Sequence, residues 1–135
     1  VNYNLEIKRA LTTQFNTILS GYDVQWPNSK FTTPNSKTWL KFSVMTGQLF
    51  QQTLRETDRI NGIVQIDVMM SKLKGENDAF IIADILTSNL PKNNLAITNG
   101  STDVFIRTIS PPRISSDPNW HKMIIEISFY SFVPR

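Results

Sequence analysis

Two stretches near the middle of the chain alternate between apolar and polar positions. In Trp39–Met45, Leu40, Phe42 and Val44 fall on one side; in Ile63–Met70, Val64, Ile66, Val68 and Met70 do. A period of two with β-branched and aromatic residues is the pattern of a half-buried strand. The segment between them, Gln48 to Asn61, is too long for a tight turn. It carries Arg55, Glu56, Asp58 and Arg59 and few apolar residues. The pattern therefore predicts a long protruding hairpin with a polar, mixed-charge loop. Gly62, at the head of the second strand, predicts a bulge or a close approach of another chain segment.

Helical spacing appears twice. Leu5, Ile7, Leu11, Phe15, Ile18 and Leu19 form one stripe, predicting a core helix over Leu5–Leu19 with Asn4 as its N-cap and Gly21 as its stop. Ala79, Ile82, Ala83 and Leu86, widened by Phe80, Ile81 and Ile85, predict a second helix over Asn77–Leu90. Asn77 or Asp78 is its expected cap, Asp84 is expected on its polar face, and Pro91 ends it. Small Ala79 and Ala83 let it lie close to a sheet. Further strands are predicted over Tyr22–Trp26, which Pro27 stops, over Leu95–Thr98, over Asp103–Ser110 before Pro111-Pro112, and over Trp120–Val133. Asn28–Lys37 and Arg113–Asn119 read as loops, with Phe31 of the first tucking back onto the body.

This order predicts an α+β fold: a mainly antiparallel sheet with a long protruding hairpin and two helices packed on one face. With 135 residues, one domain is expected. Charged residues make up 19% of the chain, below the usual share of about 25%, so some surface is expected to be covered by partners. There is no apolar run of about 18 residues, so no membrane partner and a soluble protein are expected. The net charge of +3 comes from 14 Lys and Arg against 11 Asp and Glu. These cations are scattered along the chain rather than blocked together, which weakens the nucleic-acid reading of a pI of 9.3.

The candidate chemistry is thin. There is no cysteine, hence no thiolate or Cys-ligated metal, and His121 is the single histidine. The five glycines stand alone, so no phosphate-cradling loop is present. Asp23, Asp67, Asp84, Asp103 and Glu126 each lack a partner nearby in sequence. No enzyme activity, catalytic residue, metal or cofactor is expected. A sheet that stacks bases would draw on Phe105, Arg107, Phe129, Tyr130 and Phe132, and is the reading from a different functional class.

Several runs, in order along nearly the whole chain, resemble the tail terminator (tail completion) proteins of long-tailed bacteriophages. They are Val24-Gln25-Trp26-Pro27-Asn28, then Phe31 and Pro34, leading into Trp39-Leu40-Lys41-Phe42-Ser43-Val44; Arg59 and Gly62 ahead of an Ile/Val strand; Ala79, Ile82, Ala83 and Asp84; and Asn119-Trp120 opening a final apolar strand. The resemblance implies a structural virion protein without catalysis, at the head-proximal end of the tail and in the host cytoplasm during assembly. It would form a ring homo-oligomer, a hexamer, that caps the tail tube and stops its growth. Its partners would be its own copies, the tail tube protein and a neck or head-completion protein, with DNA only in transit through the lumen. A neck or head-completion protein is the alternative within virion assembly. On this reading Arg55, Glu56, Asp58 and Arg59, with Phe31 and Asn35 of the 28–37 arm, contact the tube or another partner, and Trp39, Lys41, Met45 and Met69 form the subunit interface.

Overall fold

The computed structural model describes residues 3–26, 37–51, 57–71, 77–90, 97–99, 102–115, 117 and 119–134. The elements follow in the order α1 (Tyr3–Ile18), β1 (Asp23–Gln25), β2 (Trp39–Gln51), β3 (Thr57–Met70), α2 (Asn77–Asn89), β4 (Ile97–Asn99), β5 (Thr102–Ile109), β6 (Arg113–Ser115) and β7 (His121–Pro134). One seven-stranded sheet runs β1-β2-β3-β7-β5-β4, with β6 pairing to β7 beside β5. Every pairing is antiparallel except β1 with β2, which is parallel. The fold is α+β, as the pattern predicts.

Alternation decides which side each strand residue takes. Leu40 and Phe42 of β2, Val64, Ile66, Val68 and Met70 of β3, and Met123, Ile125, Ile127 and Phe129 of β7 turn to one face. There they form a single buried cluster with Ile7, Ala10, Leu11 and Phe15 of α1 and Ala79, Ile82, Ala83 and Leu86 of α2. Both helices therefore cover the same face. Phe42 is the centre of this packing, with Phe15 at 5.3 Å and Trp26 at 4.9 Å between ring centroids. Ser131 is buried on the core side of β7, and its hydroxyl donates to the Asp103 carbonyl at 2.6 Å, which satisfies it. The Thr38 hydroxyl, just before β2, donates to the Asp78 carboxylate in the first turn of α2 and ties the two elements.

Several sequence expectations change. The polar loop over Gln48–Asn61 is mostly strand: β2 and β3 pair on through Leu49↔Ile60 and Gln51↔Asp58. The long β7 supplies the reason, since it extends β3 as far as Thr57↔Pro134. A register shift between Thr46 and Leu49 sets two residues of β2 against one of β3, a bulge that hides the alternation there. The segment read as a loop over Arg113–Asn119 contains β6, too short to show a period. α1 begins at Tyr3, so Asn4 lies inside it, and Asn77 and Asp78 are already helical in α2. Phe31 and the rest of the 28–36 arm lie outside the described residues.

Candidate interaction surface

The face of the sheet turned away from both helices is built in rows that run across the strands. Trp39, Met69 and Lys122 make the first row; Lys41, Asp67 and Ile124 the second; Ser43, Gln65 and Glu126 the third; Met45, Ile63 and Ser128 the fourth, which Thr108 of β5 extends. None of these residues belongs to the core cluster. Met45 and Ile63 are cross-strand neighbours with 48% and 37% exposure, an apolar pair left open in the single chain.

At the other end of this face a small second cluster is closed. Trp39 is only 7% exposed and Met69 6%. The Trp120 ring meets Trp39 edge-on, 6.0 Å between centroids at 87°. Such edge-to-face contacts are favoured by the ring quadrupoles. Trp120 is aimed by the turn before it: the Asp117 carboxylate accepts the backbone N–H of Asn119 at 2.9 Å and of Trp120 at 3.0 Å.

Asp67 lies beside this cluster at 5% exposure. Gln65 Nε2 donates to its Oδ1 at 2.8 Å, and Lys122 Nζ stands 3.7 Å from its Oδ2. A carboxylate withdrawn from water needs such partners. The sequence shows none near Asp67, because Lys122 arrives from β7. Farther along β7, Glu126 pairs with the Arg113 guanidinium. The Glu126 backbone exchanges hydrogen bonds with Ser110: its N–H donates to the Ser110 hydroxyl at 2.9 Å, and its carbonyl accepts the Ser110 N–H at 2.8 Å. These bonds hold the Pro111-Pro112 corner against the sheet.

The proposed contact residues divide sharply. Arg55, Glu56, Phe31 and Asn35 lie outside the described residues. Asp58 and Arg59 stand in β3, opposite Gln51 and Phe50 of β2, rather than in a loop. Arg59 is half-buried, and its Nε has no hydrogen-bond acceptor among the described residues. Of the four proposed interface residues, Lys41 and Met45 are exposed while Trp39 and Met69 are covered by the chain itself. Sequence reasoning missed Asp67, Lys122, Trp120 and Ile63 as parts of this surface. Alternation puts each on the outward side, but the register across β3 and β7 that joins them is a tertiary fact. The candidate base-stacking residues divide: Phe129 is buried under the helices, while Phe105 and Tyr130 are cross-strand neighbours that stack on each other at 5.2 Å and 18°.

Among the described residues no three His, Asp or Glu side chains gather as a metal site, and no helix is long and apolar enough to cross a membrane. Among the described residues the one deeply buried carboxylate, Asp67, is held by an ammonium and an amide. What the fold offers instead is area: long strands, an open apolar pair and a braced sheet face. Those are the features of a small α+β structural protein that meets other chains.

The comparisons with known proteins give this class a family. The profile described as "Phage tail terminator protein" matches residues 6–129, and the chain belongs to that family. It is thus a structural protein of the phage tail that associates with tail and other phage structural proteins. Seven chains of solved structures match. One of them shares the fold with a TM-score of 0.67 at 24% identity, covering 92% of this chain and 94% of that one. No curated protein matches the chain.

Proposed function

We propose that six copies of this chain close into a ring that caps the tail tube, ends its polymerisation and presents the opposite face to the head's connector or a neck protein, with DNA passing through the lumen. The family match over residues 6–129 carries this reading. The open face of the sheet supports it, because Lys41, Met45 and Ile63 are exposed on a floor braced by Trp39 and Met69. The β2–β3 tip reaches the tube, where Arg55, Glu56, Asp58 and Arg59 match opposite charges on its last ring and set the docking register. Phe31 and Asn35 of the 28–37 arm make the second partner contact. The ring sits at the head-proximal end of the tail, after assembly in the host cytoplasm.

Two measurements test this. Light scattering, with and without purified tail tubes, is expected to show six chains of 15.5 kDa, about 93 kDa free or as a cap on the tube. A chain that stays monomeric in both conditions overturns the ring. Arg55→Glu is expected to leave folding and ring formation unchanged and to abolish capping, giving overlong tubes. Normal-length tails from that variant overturn the tip contact while leaving the ring intact. Arg55 is the cleaner choice over Arg59, whose half-buried guanidinium makes its replacement a folding change as well.

A further inference from the structure

We infer that neighbouring copies in the ring join sheet edge to sheet edge, with β2 of one copy pairing antiparallel to β5 of the next. The inference rests on the ring reading above and names the contact that builds it.

The first observation is a sheet edge that no strand among the described residues covers beyond its first few residues. β1 pairs with β2 only over Trp39–Lys41. From Phe42 onward, no strand among the described residues pairs with that side of β2. The run Phe42-Ser43-Val44-Met45-Thr46-Gly47-Gln48-Leu49-Phe50-Gln51 contains no charge and no proline. Proteins ordinarily protect a sheet edge with charged residues, proline, bulges or brevity. Here the bulge follows Thr46, and Phe42–Thr46 stands in unbroken register with β3. An edge so unprotected is suited to be paired.

The second observation lies at the opposite end. β4 pairs with β5 only over Thr102–Val104. Beyond it, Ile106, Thr108 and Ile109 pair with β7 on one side, with a register shift at Arg107, and, among the described residues, with no strand on the other. The two edges stand at the same height. Val44, Val64, Ile127 and Ile109 form one continuous row across the sheet, and Thr46, Gly62, Phe129 and Ile106 form another. Copies set side by side without a shift along the strands would bring these two edges together.

Strand direction agrees. β2 is antiparallel to β3, β3 to β7, and β7 to β5, so β2 and β5 run in opposite directions. Rotation about an axis along the strands keeps those directions, and β5 of one copy then meets β2 of the next in the more stable antiparallel sense. The contact uses two different edges, so it is head-to-tail, the kind that propagates around a ring instead of stopping at a dimer.

The absence of cysteine makes the test direct. Met45 and Thr108 share a row on the helix-free face, and both are exposed. Four double variants combine Ser43→Cys or Met45→Cys with Arg107→Cys or Thr108→Cys. They cover the register shift in β5 and a two-residue slip, and disulfide geometry rejects all but close pairs. Each is oxidised with and without purified tail tubes and read by non-reducing electrophoresis beside light scattering. At least one double variant is expected to give a ladder of covalent oligomers up to the full ring, and no single variant is. A ring of the expected mass without a ladder from any pair overturns the edge contact and leaves the ring standing. Dimers from Met45→Cys alone show β2 meeting β2 and overturn it equally. No assembly in either condition overturns both readings.

Discussion

Gly62 shows how one residue can hold three strands in register. It faces Thr46 on β2 and Phe129 on β7. A Cβ added there would run into the Phe129 ring and come within 2.6 Å of the Met45 carbonyl. Neither neighbour has room to yield, since Phe129 is a core residue and the carbonyl is backbone just ahead of the bulge. Gly62→Ala is therefore expected to destabilise the chain by about 1–3 kcal/mol, the usual range for overpacking. Urea denaturation checks this as a lower midpoint with an unchanged slope; an unshifted midpoint would show that β2 or Phe129 relaxes freely. The isolated glycine ahead of an Ile/Val run made a close approach legible in the sequence. Asp67 was not legible in the same way. Its partner Lys122 lies far away along the chain, and only the β3–β7 register brings the two together.

At the scale of elements, periodicity is informative where one face is buried and silent where pairing alone sustains a strand. The core sides of β2, β3 and β7 and the centre of both helix stripes were readable for that reason. Phe80 and Ile81, expected to widen the α2 stripe, are instead 47% and 50% exposed, so α2 buries only the narrow side of Ala79, Ile82, Ala83 and Leu86. The extension of β2 and β3 beyond Thr46 and before Gly62 was not, because a bulge resets the alternation and the polar residues there mimic a loop. β1 was legible as a strand, but its parallel pairing with β2 is a tertiary fact that no period along the chain encodes. The helices offer a contrast within one element. Phe15 is fully buried against Phe42, whereas Leu5 on the same helix is 42% exposed. Phe15→Ala is expected to cost about 3–5 kcal/mol, a large part of the stability of an ordinary domain. Leu5→Ala is expected to fall within about 0.5 kcal/mol of the parent. Thermal unfolding of the pair checks both, and equal losses would mean that α1 packs on a different face.

The whole molecule bears on how such a protein treats DNA. A base-stacking sheet needs open aromatic faces within a field of one sign. Here the open face mixes Lys41 and Arg113 with Glu126, and two of its cations, Lys122 and Arg113, are each matched to a carboxylate. Phe105 and Tyr130 spend a ring face on each other, and Phe129 is turned into the core. What remains is a net charge of +3 spread over 135 residues. That is enough for weak polyelectrolyte attraction and too little for tight binding. Affinity for a short single-stranded oligonucleotide at about 0.15 M salt is therefore expected to be no better than the non-specific range of about 10⁻⁴–10⁻⁶ M, and to fall further with added salt. Fluorescence anisotropy of a labelled oligonucleotide measures it. Nanomolar binding that survives higher salt, with quenching of the chain's aromatic emission, would revive the stacking sheet and count against the ring. Weak binding is also what a passage requires. On the proposed ring reading DNA has to move through the lumen, and a wall that gripped each phosphate would hold it there.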